Sequence, residues 1–269
     1  MSPRATKAVI LAAGQGKRMG SDLPKVLHQV DDKPMVIRCI EATMAAGIDD
    51  VILVVGVGRD QVIDTVDDAY EGVEYAVQDE QLGTGHAVLQ ARAFLEGSDG
   101  NVVVLYGDMP MLTAETIRTI VDHRDASDAA AVVLTIELEN PPDFGRIVRD
   151  GDGRVTGIVE SRDATPEQLA VQEVNVGAYC FDALALLRAL ERLGSTNVAG
   201  EYYLTDVIGI LAGDGDKVET VVTDRLEEAV GVNDPEHLDF AEKIRHIRYA
   251  EKMYARVDAL ARERRPRPA

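Results

Sequence analysis

The 269-residue chain has a formal net charge of −19 at pH 7, and 46% of its residues are hydrophobic. So acidic a protein cannot neutralise the phosphates of a nucleic acid, which excludes a polynucleotide partner but not a small nucleotide held by a local basic loop. The length allows one large or two small globular domains.

The chain also lacks the signs of a membrane or secreted protein. No stretch approaches the length of a membrane span, and the first nine residues, MSPRATKAV, contain no apolar core of a secretory signal. These features predict a cytoplasmic protein without a membrane partner. Cys39 and Cys180 are far apart and lack metal-ligand spacing, so we expect two buried, reduced thiols.

The first predicted element is a short buried strand, Ala8–Ala13, which ends in a turn containing Gly14 and Gly16. Glycines leave backbone N–H groups bare, so a phosphate could approach them closely. Three cations follow closely: Lys17, Arg18 and Lys25. The turn alone is weak evidence, because it completes neither a P-loop nor a GxGxxG fingerprint.

Strand-like runs then alternate with helical patterns. In order, they are a helix over 34–47, a strand over 51–57, a helix over 85–95 and a strand over 102–108. Such alternation predicts a parallel sheet with helices on both faces. Because ligands bind beyond the carboxyl ends of such strands, we expect the loops 14–18 and 106–111 to meet there.

The second half of the chain is richer in β patterns, with a hairpin turn predicted over 150–153 between two alternating strands. A long helical pattern with a charged surface runs from 235 to 264, followed by a basic tail. We therefore predict a nucleotide-binding half over about 1–125, a sugar-binding half over about 126–233, and a C-terminal helix with its tail over 234–269.

Seven motifs occur in order along the chain: LAAGQGKRM with PKVL, QLGTGHA, LYGDMPM, FGRI, VNVG, EYYLTD and AVGVN. Together they resemble the sugar-1-phosphate nucleotidylyltransferases. The resemblance is closest to the uridylyltransferase domain of the bifunctional N-acetylglucosamine-1-phosphate uridylyltransferase/glucosamine-1-phosphate acetyltransferases, and it covers residues 6 to about 240. It implies a Rossmann-like, GT-A-like α/β fold with a mixed, mostly parallel sheet and a C-terminal helix. The hexapeptide repeats of the acetyltransferase part do not occur in this sequence.

The resemblance implies that Arg18, Lys25 and Asp108 are catalytic, with the two cations on the phosphates. The residues that it implies bind the nucleotide are Leu11, Ala12, Ala13, Gly14, Gly16, Lys25, Gln78, Gly83 and Thr84. An amide both donates and accepts hydrogen bonds, so the side chain of Gln78 suits the O4 and N3–H edge of uracil. His86 is expected to start a helix rather than to act as a base.

The same resemblance implies a Mg²⁺ site made by Asp108 and Asn233, which agrees with the preference of this ion for oxygen ligands. The residues that it implies contact the sugar are Tyr106, Gly107, Gly145, Glu160 and Asn175. Arg146 is expected nearby. Phe144 stands where the family commonly has Tyr, which leaves the identity of the sugar open.

Several of these residues also have simpler structural interpretations. Thr84 and Asn233 are suited to cap the helices that follow them, and Asp108 to cap a turn. Glu160 would pair with Arg162 if it lay on an exposed strand.

The predicted reaction is Mg²⁺-dependent transfer of UMP from UTP to N-acetylglucosamine 1-phosphate, with release of pyrophosphate. One alternative keeps the fold but uses glucose 1-phosphate or another sugar 1-phosphate, with UTP or dTTP. Another is a non-catalytic regulatory subunit that binds a nucleotide sugar. We expect a monomer or a homo-oligomer formed through the C-terminal helix.

Overall fold

The structure is a computed structural model that describes residues 4–263. The strands are β1 (Thr6–Ala12), β2 (Gln29–Val30), β3 (Lys33–Pro34), β4 (Asp50–Val55), β5 (Glu74–Val77), β6 (Asn101–Tyr106), β7 (Ala131–Glu137), β8 (Arg146–Arg149), β9 (Val155–Val159), β10 (Glu173–Asp182) and β11 (Val218–Val222). The helices are α1 (Met35–Ala45), α2 (Arg59–Asp67), α3 (Thr84–Gln90), α4 (Arg92–Leu95), α5 (Ala114–Ser127), α6 (Pro166–Leu169), α7 (Ala183–Leu190), α8 (Asp206–Gly213) and α9 (Pro235–Glu263).

A single mixed sheet runs through both halves of the chain in the order β11-β7-β10-β6-β1-β4-β5, with β8 paired to β10 and β9 paired to β8. Strand β1 lies between β4 and β6 and is parallel to both. After β1 the chain adds β4 and β5 on one side of that strand and then places β6 on its other side. This change of direction opens a crevice at the carboxyl ends of β1 and β6. The mostly parallel, helix-flanked sheet expected from the motifs is confirmed.

The apolar core has two parts, one on each face of this sheet. Successive side chains of a strand point to opposite faces, so Ile10 packs with α1, α2 and α5, whereas Val9 packs with α3, α4, α7 and α8. Both of these β1 residues are fully buried. A strand covered on both faces is a continuous apolar run, which explains the sequence AVILAA.

The predicted elements are present, with three differences. Each of the three predicted first-half strands begins and ends one or two residues earlier than expected. The predicted helix over 85–95 is interrupted at Ala91, so that α3 and α4 are separate. Strand β10 runs antiparallel between β6 and β7, which local patterns do not indicate. The hairpin turn over 150–153 is confirmed between β8 and β9.

Helix α9 packs against the body of the protein through a third apolar cluster, which includes Met111 and Ala241. Arg248 Nη1 donates to the Met111 carbonyl over 2.7 Å. The α9 N-terminus is capped by Asp234, whose Oδ1 accepts from His237 N over 2.9 Å, rather than by Asn233. The basic tail lies outside the described residues.

Two further sequence predictions concern thiols and membranes. Cys39 and Cys180 are free and buried, as expected, and burial raises the pKa of the Cys39 thiol to about 12. Among the helices within residues 4–263, none has the length and apolar character that crossing a membrane requires.

Candidate functional site

A cavity of about 320 Å³ opens at the carboxyl ends of β1 and β6, where the two predicted loops meet. Most of the lining residues were predicted to bind the nucleotide or to act in catalysis: Leu11, Ala12, Ala13, Gly14, Lys25, Gln78, Gly83, Thr84 and Asp108. Tyr106, which was predicted to contact the sugar, also lines the cavity. Val26, Gln81, Ala87 and Glu201 complete the lining. Residues from four of the seven motifs are thereby brought to one cavity.

The two glycines of the first turn have different roles. A Cβ on Gly14 would meet no atom within 4 Å, so this residue leaves the cavity mouth open. Gly16 has φ +61°, and its Cβ would lie 2.6 Å from Lys25 Cβ. Gly16 is therefore required for the close approach of Lys25, a role that the sequence did not indicate.

Lys25 joins the predicted metal ligands into one cluster. Its ammonium forms an ion pair with Asp108 Oδ2 and lies 3.1 Å from Asn233 Oδ1. The side chains of Lys25 and Asp108 are only 15% and 17% exposed, so this pair is screened less than a surface ion pair. The Lys25 ammonium thus places a positive charge between the two side-chain oxygens that are predicted to bind the metal.

Hydrogen bonds with backbone groups hold Asp108 and Asn233, which provide these two oxygen ligands. Asp108 follows β6, and its carbonyl accepts a hydrogen bond from Val232 N over 2.8 Å. Asn233 Nδ2 donates to Gly231 O over 3.1 Å, which leaves Oδ1 directed at Lys25. One carboxylate and one amide oxygen fit Mg²⁺, which commonly takes its other ligands from phosphates and water. In the part of the chain that the structure describes, His, Cys, Asp and Glu form no cluster of three or more able to hold a metal without such ligands.

Arg18 lies apart from the cavity. It is exposed, on a single 3-10 turn over Lys17–Met19. The pKa of Asp234 is lowered chiefly by the His237 backbone N–H and more weakly by the Arg18 guanidinium. Arg18 therefore lies within electrostatic reach of Asp234, and it is not among the residues that line the cavity.

The motif QLGTGHA is held in place by EYYLTD, a contact that the sequence did not predict. Tyr202 N donates to Leu82 O and Gly85 N donates to Tyr202 O, both over 2.8 Å. A Cβ on Gly83 would lie 2.5 Å from Tyr202 O, so that glycine allows two backbones to pack together. Gly83 also provides the N-cap position of α3, while Thr84 is already helical and accepts from Leu204 N over 3.0 Å.

Three residues predicted to contact the sugar meet beside the cavity. A Cβ on Gly145 would lie 3.6 Å from both Asn175 Cβ and Glu160 Oε1. Asn175 Nδ2 donates to Tyr179 Oη over 2.7 Å, and Asn175 Oδ1 accepts from Gly177 N over 3.1 Å. Asn175 therefore also holds the irregular stretch of β10.

Glu160, one of these three residues, also lines a second cavity, of about 490 Å³. Its Oε1 accepts from the buried Thr205 Oγ1 over 2.9 Å, so it is not the exposed partner of Arg162. Burial raises the pKa of Glu160 and opposes the effect of the Thr205 hydrogen bond. The pKa of Tyr106 is raised by burial and by the Glu160 carboxylate. Glu160 thus acts electrostatically on Tyr106, a residue that lines the first cavity.

Gly107, another predicted sugar contact, and Arg146, which was expected nearby, both bond to the backbone of the protein. Gly107 N donates to Leu11 O over 2.9 Å, and a Cβ on Gly107 would lie 3.1 Å from that oxygen. Arg146 is buried, and its guanidinium donates to the carbonyl oxygens of Pro141, Pro142, Phe144 and Leu169. With those donors used on the backbone, Arg146 supports the FGRI turn.

Among the cavity residues that sequence reasoning missed, Gln81 and Glu201 are the two polar ones. Gln81 is the first residue of QLGTGHA, and its Nε2 donates to Gln78 O over 3.2 Å. Glu201 begins EYYLTD, whose contact with Gly83 places it at the cavity. Each is the first residue of a quoted motif, and that position is the signal that could have indicated it.

The chain was compared with protein families and curated proteins. Residues 8–202 match the MobA-like NTP transferase domain. Bifunctional protein GlmU of Halalkalibacterium halodurans is 50% identical over 237 residues, covering 88% of this chain and 51% of that protein. Bifunctional protein GlmU of Geobacillus sp. (strain WCH70) is 47% identical over 245 residues, covering 91% and 53%. The chain thus spans about half the length of these curated relatives.

Among solved structures, a putative glucose-1-phosphate thymidylyltransferase from Bacillus anthracis, in complex with sucrose, superposes with a TM-score of 0.72. It is 22% identical, and the match covers 89% of this chain and 95% of that chain. This likeness shows the fold.

Proposed function

The chain belongs to the family of MobA-like NTP transferase domains, and we propose that it transfers UMP from UTP to N-acetylglucosamine 1-phosphate, releasing pyrophosphate. The observation that carries this proposal is the cluster of Lys25, Asp108 and Asn233 at the mouth of a cavity lined by the glycine turn and Gln78. The identity to proteins named GlmU over the length of the chain supports the choice of sugar and base.

In the proposed reaction, an oxygen of the sugar phosphate attacks the α-phosphorus of UTP. The bond from that phosphorus to the bridging oxygen of the β-phosphate breaks, and pyrophosphate leaves with the electron pair. The attacking oxygen is already an anion, so no general base is needed. The protein must instead bring two polyanions into line and offset their charge. Lys25 and the N–H groups of the glycine turn are suited to do so, and Arg18 would approach from the α9 side.

Asp108 and Asn233 would hold the magnesium ion. When bound, such an ion supplies positive charge to the α-phosphate and sugar-phosphate oxygens. Because Lys25 contacts both oxygen ligands, its ammonium must leave them when a metal binds. We propose that the lysine then turns to the phosphates, so that the same side chain bridges the two ligands before the metal binds and later neutralises the substrate.

Glu160, Asn175 and Gly145 would form the sugar subsite, with Tyr106 and Gly107 between sugar and nucleotide. We expect Glu160→Gln to raise the KM for N-acetylglucosamine 1-phosphate about tenfold, because hydrogen bonds to a charged carboxylate are stronger than those to an amide. The KM for UTP should stay unchanged, and the exposed Glu167→Gln is the matched control. An unchanged sugar KM in Glu160→Gln would remove that carboxylate from the subsite.

The proposed function is tested by measuring pyrophosphate release with UTP, Mg²⁺ and N-acetylglucosamine 1-phosphate, beside glucose 1-phosphate and dTTP. We expect the highest kcat/KM with UTP and the acetamido sugar, and a loss of turnover when the metal is chelated. Preference for another pair would keep the mechanism and change the substrate. Nucleotide binding without release from any pair would instead indicate a regulatory subunit.

A further inference from the structure

The hydrogen-bonding polarity of Gln78 is fixed by its neighbours. Gln78 lines the first cavity but is only 4% exposed. Its Nε2 lies 3.1 Å from Gly83 O and 3.0 Å from His86 Nδ1. A carbonyl oxygen can only accept, so the amide atom beside Gly83 must be the nitrogen. The second hydrogen of Nε2 then points to His86 Nδ1. The Gln78 atom that remains to bind a ligand is therefore Oε1.

This contact also determines the tautomer of His86. If Nδ1 carried the proton, two N–H groups would face each other, so Nδ1 must be the bare acceptor and Nε2 must carry the proton. On the other side of the ring, Gln90 lies 3.1 Å from Nε2 and also contacts the His86 carbonyl. As placed, the Gln90 nitrogen donates to that carbonyl, but unlike Gln78 it is only half-buried, so its amide can give up this bond to water and turn to offer Oε1 to the Nε2–H.

We propose that His86 is a positioning residue that makes the cavity select uracil or thymine over cytosine. This inference rests on the proposed function, because it takes the ligand to be a pyrimidine nucleotide. With both amide hydrogens committed, Gln78 can accept from the N3–H of uracil but cannot donate to O4. The N3 of cytosine carries no proton, so Oε1 would face a second acceptor, which is repulsive. Discrimination of this kind follows from a polar group that the wrong ligand leaves unpaired.

Three variants test the proposal by calorimetric binding of UTP and CTP without a sugar phosphate. His86→Leu removes the acceptor, whereas His86→Asn can place Oδ1 near the position of Nδ1. Gln90→Ala is the matched control, because it alters the other side of the same ring. We expect the preference for UTP over CTP to fall about tenfold in His86→Leu, as one hydrogen bond predicts, and to stay within about twofold in the other two. An unchanged preference in a folded His86→Leu protein would overturn the proposal.

A second measurement needs neither nucleotide nor turnover. ¹⁵N chemical shifts of the histidine rings, with His86 assigned from its absence in His86→Asn, should show a bare Nδ1 and a protonated Nε2. A proton on Nδ1 would overturn the inference whatever the binding results. Failure of the wild-type protein to bind UTP would count against the proposed function instead.

Discussion

Replacing Asp108 with Asn should lower kcat roughly a thousandfold or more. The substitution keeps the shape of the side chain but removes the only carboxylate of the Lys25 cluster, and with it the charge that a magnesium ion requires. The protein should remain folded, because the Asp108 carbonyl still accepts from Val232 N. Steady-state pyrophosphate release and the melting temperature measure the two effects separately.

The matched control is Asp64→Asn, which removes one carboxylate from the exposed surface of α2. Its kcat should equal that of the wild-type protein. Near-full activity in Asp108→Asn would contradict both the assignment of the metal ligand and the proposed reaction.

Lys25→Ala should produce the second large loss, of roughly a hundredfold or more in kcat, because the lysine is the cavity-lining cation that would face the phosphates. The variant also separates two roles of the side chain. Its ammonium lies between Asp108 and Asn233, so its removal should strengthen Mn²⁺ binding in the absence of nucleotide. Electron paramagnetic resonance titration measures the free Mn²⁺ directly.

Lys33→Ala is the control for this variant, since Lys33 pairs with Glu41 on the surface. It should change neither kcat nor Mn²⁺ affinity. If Lys25→Ala lost activity while its Mn²⁺ affinity stayed the same or weakened, the lysine would not compete with the metal, and the proposed exchange of partners would be wrong.

The sequence predicted the fold class from local patterns, whereas most of the cavity wall was assigned by the resemblance of its motifs to a known family. The apolar run at Ala8 to Ala13, followed by glycines, is a short-range signal for a buried strand and a ligand loop. The position of Asp108 at the end of another such strand then follows from the geometry of parallel sheets. Each inference needed only a few consecutive residues.

The contacts between distant segments could not be predicted in this way. Gly83 allows the close approach of the Tyr202 carbonyl, and Gly16 allows that of Lys25, so each of these two predicted ligand residues also has a packing role that the sequence did not indicate. Arg146 was expected near the sugar residues without a defined role, and its role in holding nearby carbonyls became visible only in the fold. The antiparallel insertion of β10 likewise depends on strand pairing, which periodicity does not specify.

Asn233 and Lys25 are 208 positions apart in the chain. A protein is synthesised from its N-terminus, so the glycine turn, Gln78 and Glu201 all leave the ribosome before Asn233. A nascent chain that ends before Asn233 would already contain every residue of the first cavity wall, but only one of the two metal-binding oxygens. In the proposed reaction, the nucleotide-binding wall and the complete pair of metal ligands would thus be synthesised at different times.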